Sequence, residues 1–335
     1  MKEKINSLQG LRVIAMLIIF LYHCELFPFG HLAVTFFFIL SGFVSYYTDP
    51  KVEDISLYSN IEYFKNKIGK FYSMYLLTII LGLILNYDVF SRYSLSKKIL
   101  IILSNITLTQ AFIPNSDYYF SLNGVAWYLS SLAFCYLMFN IYKYYLNKTN
   151  TSLITIISTL WIIQVMISLS IINLSYQSTQ WIIYINPIIR SINFFMGMVL
   201  AKIFINKNRN DIKDIIYSRF EVIVCILFTI IYISSVFIPR VFIWSTYYSP
   251  IIMVIIYVFS FQRGFISKIL ERDIFMKLAK ISFEFYMIHQ LVINICWRFI
   301  GDNKLIISIA ALIISLILAI LLNKVSILIR NFCKR

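Results

Sequence analysis

The stretch Leu8-Gln9-Gly10-Leu11-Arg12-Val13-Ile14-Ala15-Met16-Leu17-Ile18-Ile19-Phe20-Leu21-Tyr22-His23-Cys24-Glu25 decides how the rest of the chain is read. It is an apolar helix with one guanidinium near its start and one imidazole near its end. Eleven positions separate Arg12 from His23, close to three turns at about 3.6 residues each. The two side chains are therefore expected on one face, about 16 Å apart along the axis. A charge and a titratable ring aligned down a lipid-grade helix must face protein or a water-filled path, which makes both functional candidates. An arginine snorkelling to one headgroup layer and a histidine at the other interface would give the same spacing with no function attached.

The rest of the chain has the same apolar character. Of 335 residues, 60% are hydrophobic, 17% aromatic and 13% charged, with a mean hydropathy of +0.80. Soluble domains carry about 25% charged residues, and several runs here reach the roughly 18 apolar residues that cross a bilayer core. The fold class expected is all-α: a polytopic membrane helix bundle forming one unit over residues 1–335, with no appended soluble domain. The net charge of +15 then reports loops on one side of a membrane rather than a nucleic-acid footprint. Five scattered cysteines (Cys24, Cys135, Cys225, Cys296, Cys333) have neither disulfide-framework nor metal spacing. Lys2 and Lys4 precede the first span as in a signal peptide, but no small-residue cleavage site follows, so the helix is expected to stay attached.

Expected spans lie at about 8–27, 31–47, 71–87, 125–142, 152–172, 183–203, 221–238, 242–261, 281–299 and 304–323. Ile99–Ile113 is ambiguous, because Ser104, Asn105, Thr107, Thr109 and Gln110 interrupt it. Counting lysines and arginines decides the matter. If 99–113 does not cross and the N-terminus is cytoplasmic, the inner segments hold 22 and the outer ones six. Making 99–113 a crossing would throw the basic 202–220 and 262–280 loops outside. The expected topology is about ten transmembrane helices with both termini cytoplasmic, and 99–113 is re-entrant or interfacial. Arg12 then sits near the cytoplasmic end of the first span, with Lys67 and Lys70 three apart at the mouth of the third. These three could form a cationic funnel for a cytosolic anion; Lys67 and Lys70 could equally signal topology or meet anionic lipid headgroups.

Other residues carry chemistry less directly. His289 lies within a span and needs a partner, whether for function or to tie helices. His31 opens the second span. Arg190 is a charge inside the sixth. Trp127-Tyr128, after Asn123-Gly124, falls at the outer interface, as belt residues or as a platform for a sugar ring. Ser41-Gly42 lacks the strand-turn-helix context of a nucleophile elbow, and close helix packing is the better reading. Glu25, about 200° round the helix from His23, cannot orient that ring. No metal site is expected, since neither His-x-x-x-His nor Cys-x-x-Cys occurs.

Five pieces together resemble the integral-membrane acyltransferases called acyltransferase family 3. Leu8-Gln9-Gly10-Leu11-Arg12 with His23 is similar to the opening L-x-G-L-R…H helix, and Phe36-Phe37-Phe38-Ile39-Leu40-Ser41-Gly42-Phe43 to the F-F-x-L-S-G-F helix. Lys67-Ile68-Gly69-Lys70-Phe71-Tyr72-Ser73-Met74-Tyr75 resembles R-x-x-R-x-x-P-x-Y, with lysines for both arginines and Ser73 for proline. Asn123-Gly124-Val125-Ala126-Trp127-Tyr128-Leu129-Ser130 resembles N-G-x-x-W-x-L-S, with Leu132 where many members carry glutamate. Ser282-Phe283-Glu284-Phe285-Tyr286-Met287-Ile288-His289 resembles S-x-x-x-Y-L-x-H.

The resemblance implies a multi-pass enzyme of the cell membrane, expected in the bacterial cytoplasmic membrane. It would move an acyl group, expected to be acetyl, from cytosolic acyl-CoA to a hydroxyl of an extracytoplasmic glycan or lipid-linked sugar. Arg12, Lys67 and Lys70 would hold the CoA phosphates and His23 would be the general base. Ser41, Tyr72, Asn123, Trp127, Arg190 and His289 are the substrate-binding candidates; membrane lipids are the remaining partners, and no nucleic acid is expected. A neutral imidazole suits proton removal from an alcohol attacking a thioester. Lysine, a point charge, cannot bind a phosphate bidentately as arginine does. Two other classes stay open: a translocator of a polysaccharide or lipid-linked sugar, and the other large class of membrane acyltransferase, whose Asn and His lie late in the chain.

Overall fold

The computed structural model describes residues 3–51, 56–207 and 214–332. Cys333 and the basic residues Lys2, Arg209, Lys213, Lys334 and Arg335, used above for composition and sidedness, lie outside them. Among the described residues there is no strand, and twelve helices exceed ten residues. They are α1 (Asn6–His23), α2 (His31–Thr48), α3 (Leu57–Ile68), α4 (Tyr72–Leu85), α5 (Leu95–Ile106), α6 (Trp127–Lys148), α7 (Leu153–Ser170), α8 (Pro187–Asn206), α9 (Asp214–Ser234), α10 (Ser249–Phe259), α11 (Asp273–Phe299) and α12 (Lys304–Phe332).

Six stretches are long and apolar enough to cross a bilayer: Asn6–His23, His31–Thr48, Leu153–Ser170, Tyr176–Asn206, Asp214–Phe237 and Lys304–Ile327. A seventh would come from α3 and α4 taken together, bent by 59° at their junction. The chain is a multi-pass membrane protein.

The 99–113 segment holds the second half of α5, which at about 18 Å is too short to cross. Ile99, Leu100, Leu103 and Ile106 of α5 are exposed, while Ile101 and Asn105 are buried. The turn beyond is pinned by Trp181 Nε1, which donates to the Ala111 carbonyl at 3.0 Å. The span expected as one helix over 242–261 is instead broken: a single turn at Arg240–Ile243 precedes α10. Pro250 sits in the first turn of α10, where its missing N–H costs nothing. Just before it, Ser245 joins a buried polar net. Ser245 Oγ donates to Asn193 Oδ1 at 3.0 Å, Asn193 Nδ2 to Ser249 Oγ at 3.1 Å, and Gln164 Nε2 to Asn193 Oδ1 at 3.1 Å. Such bonds join α7, α8 and α10 where apolar packing alone gives no driving force.

The tightest helix pair is α2 with α8. A methyl group on Gly42 would overlap the carbonyl of Phe194, and one on Gly197 the carbonyl of Ile39. Both glycines are there because the two backbones touch, which is the packing expected at Ser41-Gly42. The buried apolar side chains form two clusters, and α1 faces both. Leu8, Ala15 and Ile19 pack with the larger one around α2, α6, α8 and α10. Val13, Met16 and Phe20 pack with the smaller one between α11 and α12. The seam between the two clusters runs along α1, and helical spacing puts Arg12 and His23 in it.

Candidate active site

One end of the seam is a cavity of about 670 Å³. Arg12 and Ile19 of α1, Phe37 and Ser41 of α2, Tyr128 and Tyr136 of α6, and Ser282 and Tyr286 of α11 line it. Five cations surround it, Lys4, Arg12, Lys67, Lys70 and Lys280, against one carboxylate, Glu284. Arg12 is half-buried and its Nη1 donates to Gln9 Oε1 at 3.1 Å, one turn back. The Lys67 ammonium lies 5.1 Å from the ring centre of Tyr63 and 5.8 Å from that of Tyr136, contacts that hold its stem toward the cavity. Glu284 Oε1 accepts from Asn323 Nδ2 at 3.0 Å, while Oε2 is buried without a partner. The basic funnel expected from Arg12, Lys67 and Lys70 is thus assembled, with Lys4 and Lys280 added.

His23 lies elsewhere. It lines a second cavity of about 510 Å³ together with Asn86, Tyr93, Asp117, Ser121, Gln290 and Asn294. It also borders a third, of about 480 Å³, formed by Tyr22, Glu25 and the turn to Pro28. Arg12 and His23 share a seam but not a cavity, and the basic cavity and the polar pocket have no lining residue in common.

The wall between them is made of rings on α11. The His289 ring centre lies 5.2 Å from that of His23 and 5.7 Å from that of Tyr286, which faces the basic cavity. Phe20 and Phe285 close the far side of His289. His289 is buried, and its Nδ1 lies 2.7 Å from the Tyr286 carbonyl oxygen. That bond requires the proton on Nδ1, which leaves Nε2 as the acceptor, and Nε2 has no partner. The ring that packs on His23 from another helix is therefore a second imidazole, with one nitrogen uncommitted. Sequence spacing contained a signal for it: Ser282, Tyr286, His289 and Gln290 follow i, i+4, i+7, i+8 along one face of α11.

The other candidates have separate places. Asn123 is fully buried and its Nδ2 donates to the Met287 carbonyl at 2.8 Å, while Tyr286 Oη donates to the Val125 carbonyl at 2.9 Å. The Asn123-Gly124 segment thus clamps the ring wall. Trp127 is buried against Tyr184, ring centres 4.7 Å apart, rather than presented at an interface. Tyr72 Oη donates to the Ile106 carbonyl at 2.7 Å and ties α4 to α5.

Arg190 is fully buried and lines none of the three cavities. Its position follows from Asn186-Pro187: the Ile188 N–H is taken by Asn186 Oδ1 at 2.9 Å, so the Tyr184 carbonyl loses its helical donor. Arg190 Nε fills that vacancy at 2.6 Å, and Nη2 donates to the Trp244 carbonyl at 2.7 Å. The charge inside this span has found carbonyls and the Tyr184 ring face, 4.8 Å away, as its partners. His31 is tied likewise, Nε2 lying 3.3 Å from Tyr22 Oη.

Sequence reading missed Tyr286 as a wall residue, and Asp117, Gln290 and Asn294 as lining. Asp117 comes from a short turn far from α1 in sequence, so no spacing could have pointed to it. A family model described as an acyltransferase domain matches residues 5–324. No curated protein and no solved structure matches the chain.

Proposed function

The chain belongs to the acyltransferase family whose domain covers residues 5–324, and from that premise we propose that it transfers an acyl group, most simply acetyl, from acyl-CoA to a hydroxyl of an extracytoplasmic glycan or glycolipid. The observation that carries this reading is the pair of unlike cavities meeting at three rings, Tyr286, His289 and His23. The basic cavity suits the phosphates of CoA, with Arg12 as the planar donor and Lys4, Lys67, Lys70 and Lys280 as point charges. Its apolar lining, which includes Phe37, Leu129 and Tyr286, suits the pantetheine arm. The acceptor would occupy the pocket beside His23.

In this scheme His23 removes the proton of the acceptor hydroxyl as its oxygen attacks the thioester carbonyl. The C–O bond forms, the C–S bond breaks, and the imidazolium returns the proton to the departing thiolate, giving the ester and free CoA thiol. His289 is the positioning residue: its ring packs on that of His23, and a small turn of the two rings would let its bare Nε2 accept the His23 N–H and direct the other nitrogen of His23 toward the acceptor. Both readings need the ring wall to open; translocation of a whole sugar is the weaker one, since a sugar needs a much wider opening than the acyl end of a thioester.

The test is a direct one. Surface glycans from cells with and without the protein are compared by mass spectrometry, and the purified full chain in vesicles is given radiolabelled acetyl-CoA with a mixed sugar acceptor. Acylated glycan in the first and label in an ester in the second are expected. Identical glycans together with no turnover of acetyl-CoA would overturn the proposal.

A further inference from the structure

The pocket beside His23 has a composition that selects among acceptors, a question that rests on the acyltransferase reading but is tested apart from it. Of its lining side chains, Asn86, Gln290 and Asn294 are carboxamides, Ser116 and Ser121 hydroxyls, Tyr93 a phenol and Asp117 a carboxylate, with no lysine or arginine among them. Lys97 stands at the edge, yet it is already committed. Its ammonium lies 2.6 Å from Asp117 Oδ2 and 4.0 Å from the ring centre of Tyr93, and the bond to Asp117 holds it above its ordinary pKa. Gln290 Nε2 donates to Asn294 Oδ1 at 3.1 Å, while Gln290 Oε1 is buried with no partner. A buried acceptor left bare is costly unless a ligand donates to it. It sits one residue from His289, on the same helix that carries the ring wall.

The geometry points to an uncharged, polyhydroxylated ring as the occupant, a neutral hexose or deoxyhexose unit, with uronates and sugar phosphates excluded. Hydroxyls donate to the free oxygen of Asp117 and accept from Asn294 Nδ2, a turn of the Gln290 carboxamide would bring its bare Oε1 to a third, and the apolar face of the ring meets Phe90 and Phe120. An anionic sugar would bring its charge beside Asp117 with no cation in the lining to receive it. A repulsive element of this kind discriminates as strongly as an added attraction. The cavity of about 510 Å³ falls within the range of small-ligand sites, about 300–1,000 Å³.

Binding is measured on the full chain in nanodiscs without acyl-CoA, by saturation-transfer NMR with three probes: a methyl hexoside, the matching methyl hexuronate and the hexose 6-phosphate. The hexoside is expected to bind at least about tenfold more tightly than either anion. Asp117→Asn should weaken the hexoside severalfold and, by releasing Lys97, tighten the hexuronate, a reversal that mere damage to the fold cannot produce. Gln290→Leu should weaken the hexoside without altering the order of the three. Equal or tighter binding of either anion to the unaltered protein, or an unchanged preference in Asp117→Asn, overturns the assignment. Hexoside binding by a protein that turns over no acyl-CoA would support this pocket while sinking the transfer reading alone.

Discussion

The basic cavity gathers five cations and one carboxylate, whereas the pocket beyond His289 gathers carboxamides, hydroxyls and one carboxylate and no lysine or arginine. The same helix gives each cavity one of its polar candidates: Arg12 from the first half of α1 and His23 from its end. Lys4, Lys70 and Lys280 are exposed, so their charge is inexpensive and adjustable, while Arg12 and Lys67 are half-buried. The ring wall is different. Asn123 and Tyr286 pin it through backbone carbonyls, so its geometry is fixed by bonds that do not depend on any substrate. On the proposed reading the contrast is a division of labour: the basic side would attract an anion, the polar side would orient a hydroxyl, and the proton acceptor would sit at the thin wall between them.

Exchanging one residue in each cavity gives the largest effects and the clearest way to break this division. His23→Ala is expected to lower kcat by about 10²–10⁴-fold with acyl-CoA binding unchanged. Arg12→Ala is expected to raise KM for acyl-CoA by about 10–100-fold, the loss of a charge-assisted bond, with hexoside binding unchanged. Steady-state kinetics in vesicles, with direct acyl-CoA binding by calorimetry, separates the two. If His23→Ala weakened acyl-CoA as much as Arg12→Ala does, the cavities would be one site and the comparison would fail.

That the chain spans a membrane, and that Arg12 and His23 stand on one line along α1, was readable from α1 alone, because periodicity and lipid cost constrain an apolar helix strongly. The basic funnel was readable too, since Arg12, Lys67 and Lys70 are near helix ends whose sidedness follows a charge count. The wall was not. Its key contact, His23 to His289, joins residues 266 positions apart, and only packing of α1 on α11 brings them together. Arg190 shows the opposite difficulty. A charge within a span signals a partner but does not name it, and the partner here is a carbonyl freed by Asn186-Pro187 several residues upstream. Trp127 fails for a related reason: an aromatic at a helix start reads as an interface residue until Tyr184 is found packed on it.

Arg190 also sharpens the comparison, because it belongs to neither cavity. Arg190→Met keeps the bulk but leaves the Tyr184 and Trp244 carbonyls without their donors, each costing about 1–3 kcal/mol when buried. The expected outcome is a lower thermal midpoint in detergent, with acyl-CoA and hexoside binding reduced together and in proportion to the folded fraction. A selective loss of one ligand would place Arg190 in that ligand's site after all.

The smallest effect separates the floor of the basic cavity from its rim. Lys280 is exposed, whereas Arg12 is half-buried. An exposed cation gains little from a pairing and is screened beyond about 8 Å at physiological ionic strength. Lys280→Ala is therefore expected to raise KM for acyl-CoA by a factor of about 1.5–5, a difference that shrinks as salt is added. Arg12→Ala should keep most of its effect at the same salt, since water and counterions reach that site less. Kinetics of the two variants at low and high sodium chloride test the distinction. Parallel salt curves would mean that the cations act as one diffuse field, with no fixed phosphate seat at Arg12.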